Sequence, residues 1–146
     1  MEKTGPIILI DDDSDDLEIY KQALHSLDVK NKILSFETAE ESLEYLKHST
    51  EPCFFILCDV NMPKMDGLEL RKQLTKDDQL KLKSIPFIFF STSDHMTHIF
   101  KAYESSVQGY FKKPSDFKQI ITLFKSIISY WDISLQPLPN QLLKVG

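Results

Sequence analysis

Cys53-Phe54-Phe55-Ile56-Leu57-Cys58-Asp59-Val60-Asn61-Met62-Pro63 passes from six apolar residues directly into a carboxylate. A run of this kind, without strict alternation, suits a strand buried on both faces of a parallel sheet. Four further runs have the same character: Ile7–Ile10, Ile33–Phe36, Pro86–Phe90 and Gly109–Phe111. The segments between them carry helical periodicity. Leu17, Tyr20, Leu24 and Leu27 share one face of a first helix, and Thr38-Ala39-Glu40-Glu41 is a capping box that opens a second, with Leu43 and Leu46 inward. Leu70 and Leu74 mark a third helix, Met96, Ile99, Phe100 and Tyr103 a fourth, and the series from Phe117 to Trp131 a fifth. A strand–helix unit repeated five times predicts an α/β protein with a doubly wound parallel sheet, right-handed crossovers and helices on both faces.

Length and composition agree. The 146 residues fit one domain, and 42% hydrophobic with 27% charged residues is ordinary globular composition. The expected division is a domain over 1–131 and a short C-terminal tail over 132–146, which carries Pro137 and Pro139. A net charge of -5, from 22 acidic and 17 basic residues, argues against nucleic-acid or anionic-membrane partners, which need a basic face. The N-terminal apolar run is too short for a signal peptide or a membrane span, so a cytoplasmic location is expected. Cys53 and Cys58 read as small core residues of a reducing compartment.

In open parallel sheets, ligands bind beyond the carboxyl ends of the strands, where the strand order reverses. Asp11, Asp12 and Asp13 follow the first run, Asp59 the third, Ser91-Thr92-Ser93 the fourth, and Lys113-Pro114 the fifth. Clustered carboxylates repel one another and call for a cation. Oxygen ligands suit Mg²⁺, with Mn²⁺ as an alternative. A hydroxyl and an ammonium opposite the metal would neutralise an arriving group with several negative oxygens, which points to phosphoryl transfer onto or off a carboxylate.

Other readings of the same residues are weaker. Asp13, Asp15 and Asp16 are expected to open the first helix, where acidic side chains favour the positive end of its dipole. An EF-hand loop fails, because Asp16 stands at its glycine position and Gln22 at its glutamate position. A haloacid-type phosphatase motif fails at Asp15, and a glycine-rich phosphate loop is absent from the sequence. His95 and His98 are expected to be exposed surface residues, Cys58 a buried filler, and Lys112 a surface charge opposite in direction to Lys113.

Asp11-Asp12, then Asp59-Val60-Asn61-Met62-Pro63-Lys64-Met65-Asp66-Gly67, then Ser91-Thr92, then Gly109-Tyr110-Phe111-Lys112-Lys113-Pro114, resembles the receiver domain of bacterial two-component response regulators. The resemblance covers about residues 6 to 131. It implies a flavodoxin-like five-stranded sheet of order 2-1-3-4-5. It implies that Asp59 is the phosphoacceptor, taking a phosphoryl group from a histidine kinase or phosphotransfer protein. Asp12 would bind Mg²⁺ directly, Asp11 through water, and Asp59 and the Asn61 carbonyl would complete the set. Ser91 and Lys113 would contact phosphoryl oxygens. Phosphorylation would draw Ser91 inward and let Tyr110 rotate, altering the face made by the fourth helix, fifth strand and fifth helix. Such a domain is a signalling module, not a turnover enzyme.

Three departures stand out: Ser91 replaces the more usual threonine, Thr92 is bulkier than the small residue often found there, and Ser115-Asp116 sits where an apolar residue is common. Trp131 and the Leu138-Pro139 tail resemble, more weakly, small response regulators serving phytochrome-type kinases, with a homodimer through the fourth-helix to fifth-helix face. The chain is then expected to be a stand-alone receiver with no output domain. Two rivals are a phosphate-independent interaction module that keeps the fold, and an aspartyl-phosphate enzyme, for which the connections look too short to form a substrate cap.

Overall fold

The computed structural model describes residues 3–137, so Leu138-Pro139 and the rest of the expected tail lie outside the described residues. The strands are β1 (Ile7–Ile10), β2 (Ile33–Phe36), β3 (Phe55–Cys58), β4 (Phe87–Ser91) and β5 (Gly109–Lys112). They form one parallel sheet in the order β2-β1-β3-β4-β5. The helices are α1 (Ser14–Ser26), α2 (Ala39–His48), α3 (Gly67–Lys76), α4 (Asp78–Leu82), α5 (Met96–Glu104) and α6 (Phe117–Ile133). The doubly wound α/β sheet and the 2-1-3-4-5 order are therefore as the sequence reading had them. The chain reverses direction across the sheet between β1 and β3, which opens a crevice at their carboxyl ends.

Central strands bury every residue, which is why they read as unbroken apolar runs. One face (Ile8, Ile10, Ile56, Cys58, Phe87 and Phe89) packs against Ala39, Leu43 and Leu46 of α2, Leu70 and Leu74 of α3, and Ala102 of α5. The opposite face (Ile7, Leu9, Phe55, Leu57, Ile88 and Phe90) meets Leu17, Tyr20 and Leu24 of α1 and Ile120, Phe124 and Ile127 of α6. Helix starts follow the capping residues. Thr38 Oγ1 accepts from the Glu41 N–H at 3.2 Å, and Asp13 Oδ1 from the Asp15 N–H at 2.9 Å.

Three findings depart from the sequence reading. The short helix α4, capped by Asp77, went unforeseen, because five residues do not complete an amphipathic repeat. It makes the expected fourth and fifth helices α5 and α6. Asp132 and Ile133, expected in the tail, are the last residues of α6. The apolar periodicity of α5 faces water: Met96, Phe100 and Tyr103 are 75%, 67% and 56% exposed, and only Ala102 of this helix is fully buried.

At the edge of the sheet opposite the carboxyl ends, cations cap helix C-termini, where carbonyls lack intrahelical partners. The Lys3 ammonium donates to the carbonyls of Trp131 and Ser134 at the end of α6, and Lys83 to those of Leu46 and Ser49 at the end of α2. Arg71 donates to Ser105 and Ser106 at the end of α5, at 3.1 and 2.7 Å, and lies over the Phe87 ring.

Candidate functional site

The sheet places the candidate residues by continuing its own ladder past the strand ends. The Asp11 N–H donates to Phe36 O at 3.1 Å, the Asp59 N–H to Ile10 O at 2.9 Å, and the Lys113 N–H to Ser91 O at 2.7 Å. Asp11, Asp59, Ser91 and Lys113 are thus held by backbone bonds to neighbouring strands. The carboxylate oxygens of Asp11, Asp12 and Asp59 come within 4.8 Å of one another. This all-oxygen set has the chemistry that Mg²⁺ or Mn²⁺ prefers, with room for waters on the exposed Asp12 side. Asn61 lies two residues beyond Asp59 on an exposed turn, in which Lys64 takes the left-handed backbone with φ 64°.

The loop after Asp59 is pinned from both sides. Asp59 Oδ1 accepts from the Val60 N–H at 2.8 Å, and the Gly67 N–H donates to Val60 O at 2.9 Å. A side chain at Gly67 would put its Cβ 2.2 Å from the backbone carbonyl oxygen of Asp59, so only glycine lets α3 start this close to the Asp59 backbone. On the far side, the Met65 N–H donates to Glu40 Oε1 of α2 at 3.1 Å.

Lys113 supplies the counter-charge. Its Nζ lies 2.7 Å from Asp11 Oδ2, 3.1 Å from Asp16 Oδ2 and 3.4 Å from Asp59 Oδ2. The ammonium also sits 5.9 Å from the centroid of the Tyr20 ring. Burial alone would lower the Lys113 pKa, but Asp11, with Tyr20 and Asp59 behind it, outweighs burial and holds the lysine charged far into the alkaline range. The Asp11 side chain is 3% exposed. Its burial pushes the carboxyl up to about 6, against the lowering effect of Lys113 and the Asp13 N–H.

A raised folded-state pKa means that the folded protein binds this proton more tightly than the unfolded chain does. The stabilisation is complete below the ordinary value of about 3.9 and is lost as pH rises through about 6. In chelator, wild type should therefore lose stability relative to Asp11→Asn between those two pH values. Urea unfolding across the range checks it, and a pH-independent difference would contradict it.

Ser91 is completely buried at the end of β4, and its Oγ accepts from the Ser93 N–H at 3.2 Å. Of the three consecutive hydroxyl residues, Thr92 faces solvent. Tyr110 is half-buried against Phe89, and its hydroxyl donates to Ser93 O at 2.8 Å. His98, expected on the surface, is instead partly buried, with Nδ1 2.6 Å from Ser93 Oγ and its ring edge-on to exposed His95. Lys112 is exposed and paired with Asp94 at 3.0 Å, as strand alternation required. Cys58 is fully buried with its thiol pushed up by burial, which fits a filler and not a nucleophile.

Asp16 and His98 are the contacts that sequence reasoning missed. Asp16 satisfied the helix-dipole reading locally, and nothing local signals a partner 97 residues away. His98 on an apolar helix likewise carries no mark of its bond to Ser93.

A model of the response regulator receiver domain matches residues 7–125. The chain belongs to the response regulator receiver domain family. The phosphorylated cyanobacterial phytochrome response regulator RcpA superposes with a TM-score of 0.78 at 28% identity, covering 90% of this chain and 96% of that one. The bacteriophytochrome response regulator RtBRR gives a TM-score of 0.72 at 31% identity, with 94% and 82% covered. The DNA-binding transcriptional regulator NtrC of Escherichia coli K12 is 29% identical over 138 residues, or 94% of this receiver. The chain spans only 28% of the length of NtrC. As a receiver, it has a family role in two-component signalling, in which such domains accept phosphoryl groups. Among the described residues, no helix is long and apolar enough to cross a membrane.

Proposed function

We propose that this receiver takes a phosphoryl group onto Asp59 from the phosphohistidine of a sensor histidine kinase or phosphotransfer protein. The observation that carries the reading is the convergence of the Asp11, Asp12 and Asp59 carboxylates with Lys113 at one sheet edge. An Asp59 oxygen forms the new bond to phosphorus as the phosphorus–nitrogen bond breaks, and the imidazole keeps the electron pair. Asp11, Asp12, Asp59 and the Asn61 carbonyl would hold Mg²⁺, which when bound offsets charge on the phosphoryl oxygens. Lys113 and Ser91 are the protein's own groups for the remaining oxygens, so the chemistry is mainly positioning and electrostatics.

The phosphorylated state would be read through Ser91 and Tyr110. Both are bonded to the Ser93 backbone, so a pull on Ser91 reaches the start of α5 and the Tyr110 hydroxyl through one residue. The outward Met96, Phe100 and Tyr103 support the α5–β5–α6 face as the surface that partners or a second copy would cover. Likeness to RcpA and RtBRR supports a phytochrome-type kinase as the donor.

The test is intact-protein mass after incubation with a small phosphodonor and Mg²⁺, beside Asp59→Asn. One added phosphoryl group is expected, absent in the variant and absent in chelator. No adduct, together with no beryllofluoride-induced change while Mg²⁺ is bound, would overturn the reading in favour of a phosphate-independent module.

A further inference from the structure

Lys113 stands among three carboxylates, and the third has no part in the reading above. Asp16, in the first turn of α1, reaches the ammonium with Oδ2 at 3.1 Å. Its side chain is 33% exposed, against 3% for Asp11 and 9% for Lys113, so it occupies the rim of the pocket beside the buried pair. Helix capping does not need it there, because the Asp13 carboxylate already accepts from the Asp15 and Asp16 N–H groups.

We propose that Asp16 is a positioning residue: it retains Lys113 at the site while a divalent cation takes over the charge of Asp11 and Asp59. This rests on the Mg²⁺-dependent acceptor reading. Lys113 and a cation held by Asp11, Asp12 and Asp59 compete for the same oxygens. An ammonium forced off Asp11 and Asp59 has two routes without Asp16: it keeps those carboxylates and excludes the metal, or it leaves for solvent. With Asp16 it exchanges one carboxylate for another without leaving the pocket, and it stays within reach of an incoming phosphoryl oxygen. Asp16 itself touches neither metal nor phosphorus in this scheme.

The test is a double-mutant cycle of Asp16→Asn and Lys113→Met on the full chain. The readouts are Mg²⁺ affinity, from the Mg²⁺ dependence of the melting temperature, and the rate of adduct formation by intact mass. Asp16→Asn is expected to weaken Mg²⁺ binding and slow adduct formation by roughly tenfold, and to have no further effect on affinity once Lys113 is Met. Asp16→Glu, which keeps the carboxylate, should recover most of the loss. Asp15→Asn, the same charge change on the same helical turn, should lose nothing.

An equal loss of affinity from Asp16→Asn with and without Lys113 would reduce Asp16 to a bystander charge and overturn the inference. So would wild-type affinity together with a wild-type rate of adduct formation in Asp16→Asn. Failure of the wild-type protein to bind Mg²⁺ or to accept phosphate would instead overturn the acceptor reading, and this inference with it.

Discussion

Lys113→Met should slow phosphoryl transfer onto Asp59 by roughly 10²–10³-fold, the usual effect of removing one fixed donor from a charge-developing site. The donor here is placed before the reaction begins, by the Lys113 N–H bond to Ser91 O and by contacts to three carboxylates. No other lysine or arginine is paired with these carboxylates among the described residues. The same substitution should destabilise the metal-free protein. Removing one partner of a buried ion pair costs about 3–5 kcal/mol, because the charge left behind has no partner. For a chain of this size that is a fall in melting temperature of roughly 10 °C. Mg²⁺ should restore much of it, since a divalent ion at the same oxygens replaces the lost charge. Melting curves in chelator and in Mg²⁺, with initial rates of adduct formation, check both parts. An unchanged melting temperature in chelator would show that the lysine is not what holds the carboxylates together.

Phe124→Ala acts on stability alone and should be nearly as damaging. Phe124 is 1% exposed between α6 and the sheet, with its ring 5.8 Å from Tyr20 and 5.5 Å from Phe90. Truncating such a side chain removes buried apolar area and leaves a cavity, at a cost of about 3–5 kcal/mol. Domains of this kind have about 5–15 kcal/mol in total. The urea midpoint should fall sharply with the slope unchanged, while the fraction still folded accepts phosphate. A loss below about 1 kcal/mol would mean that α1 and α6 close over the gap.

The architecture was legible because central strands of a parallel sheet cannot hide. Ile7–Ile10 and Phe55–Cys58 are buried on both faces, and the sequence shows this as unbroken apolar runs followed by aspartate. Edges were legible only to within a residue or two: Cys53 and Phe54 lead into β3 without joining it, and Ser91 closes β4. The three carboxylates and the lysine that meet at the sheet edge were readable from position alone, since they follow strand ends. Their pairing was not. The contact of Asp16 with Lys113 depends on how far α1 tilts over the sheet edge, and no local pattern encodes that. Periodicity misled at α5, because spacing reports that a helix has an apolar stripe and not whether the stripe faces the core or the solvent.

That outward stripe has a consequence for how such a chain can change over generations. Only Ala102 of α5 is fully buried, so nearly all the rest of the helix is free of core packing. Exposed substitutions away from caps and networks typically shift stability by less than about 0.5 kcal/mol. Met96, Phe100 and Tyr103 could be exchanged in turn with the acidic pocket left untouched. If α5 is the surface that partners read, as proposed above, a duplicated copy could thus acquire a new listener by drift on one helix, with its acidic pocket and its capacity to fold unchanged.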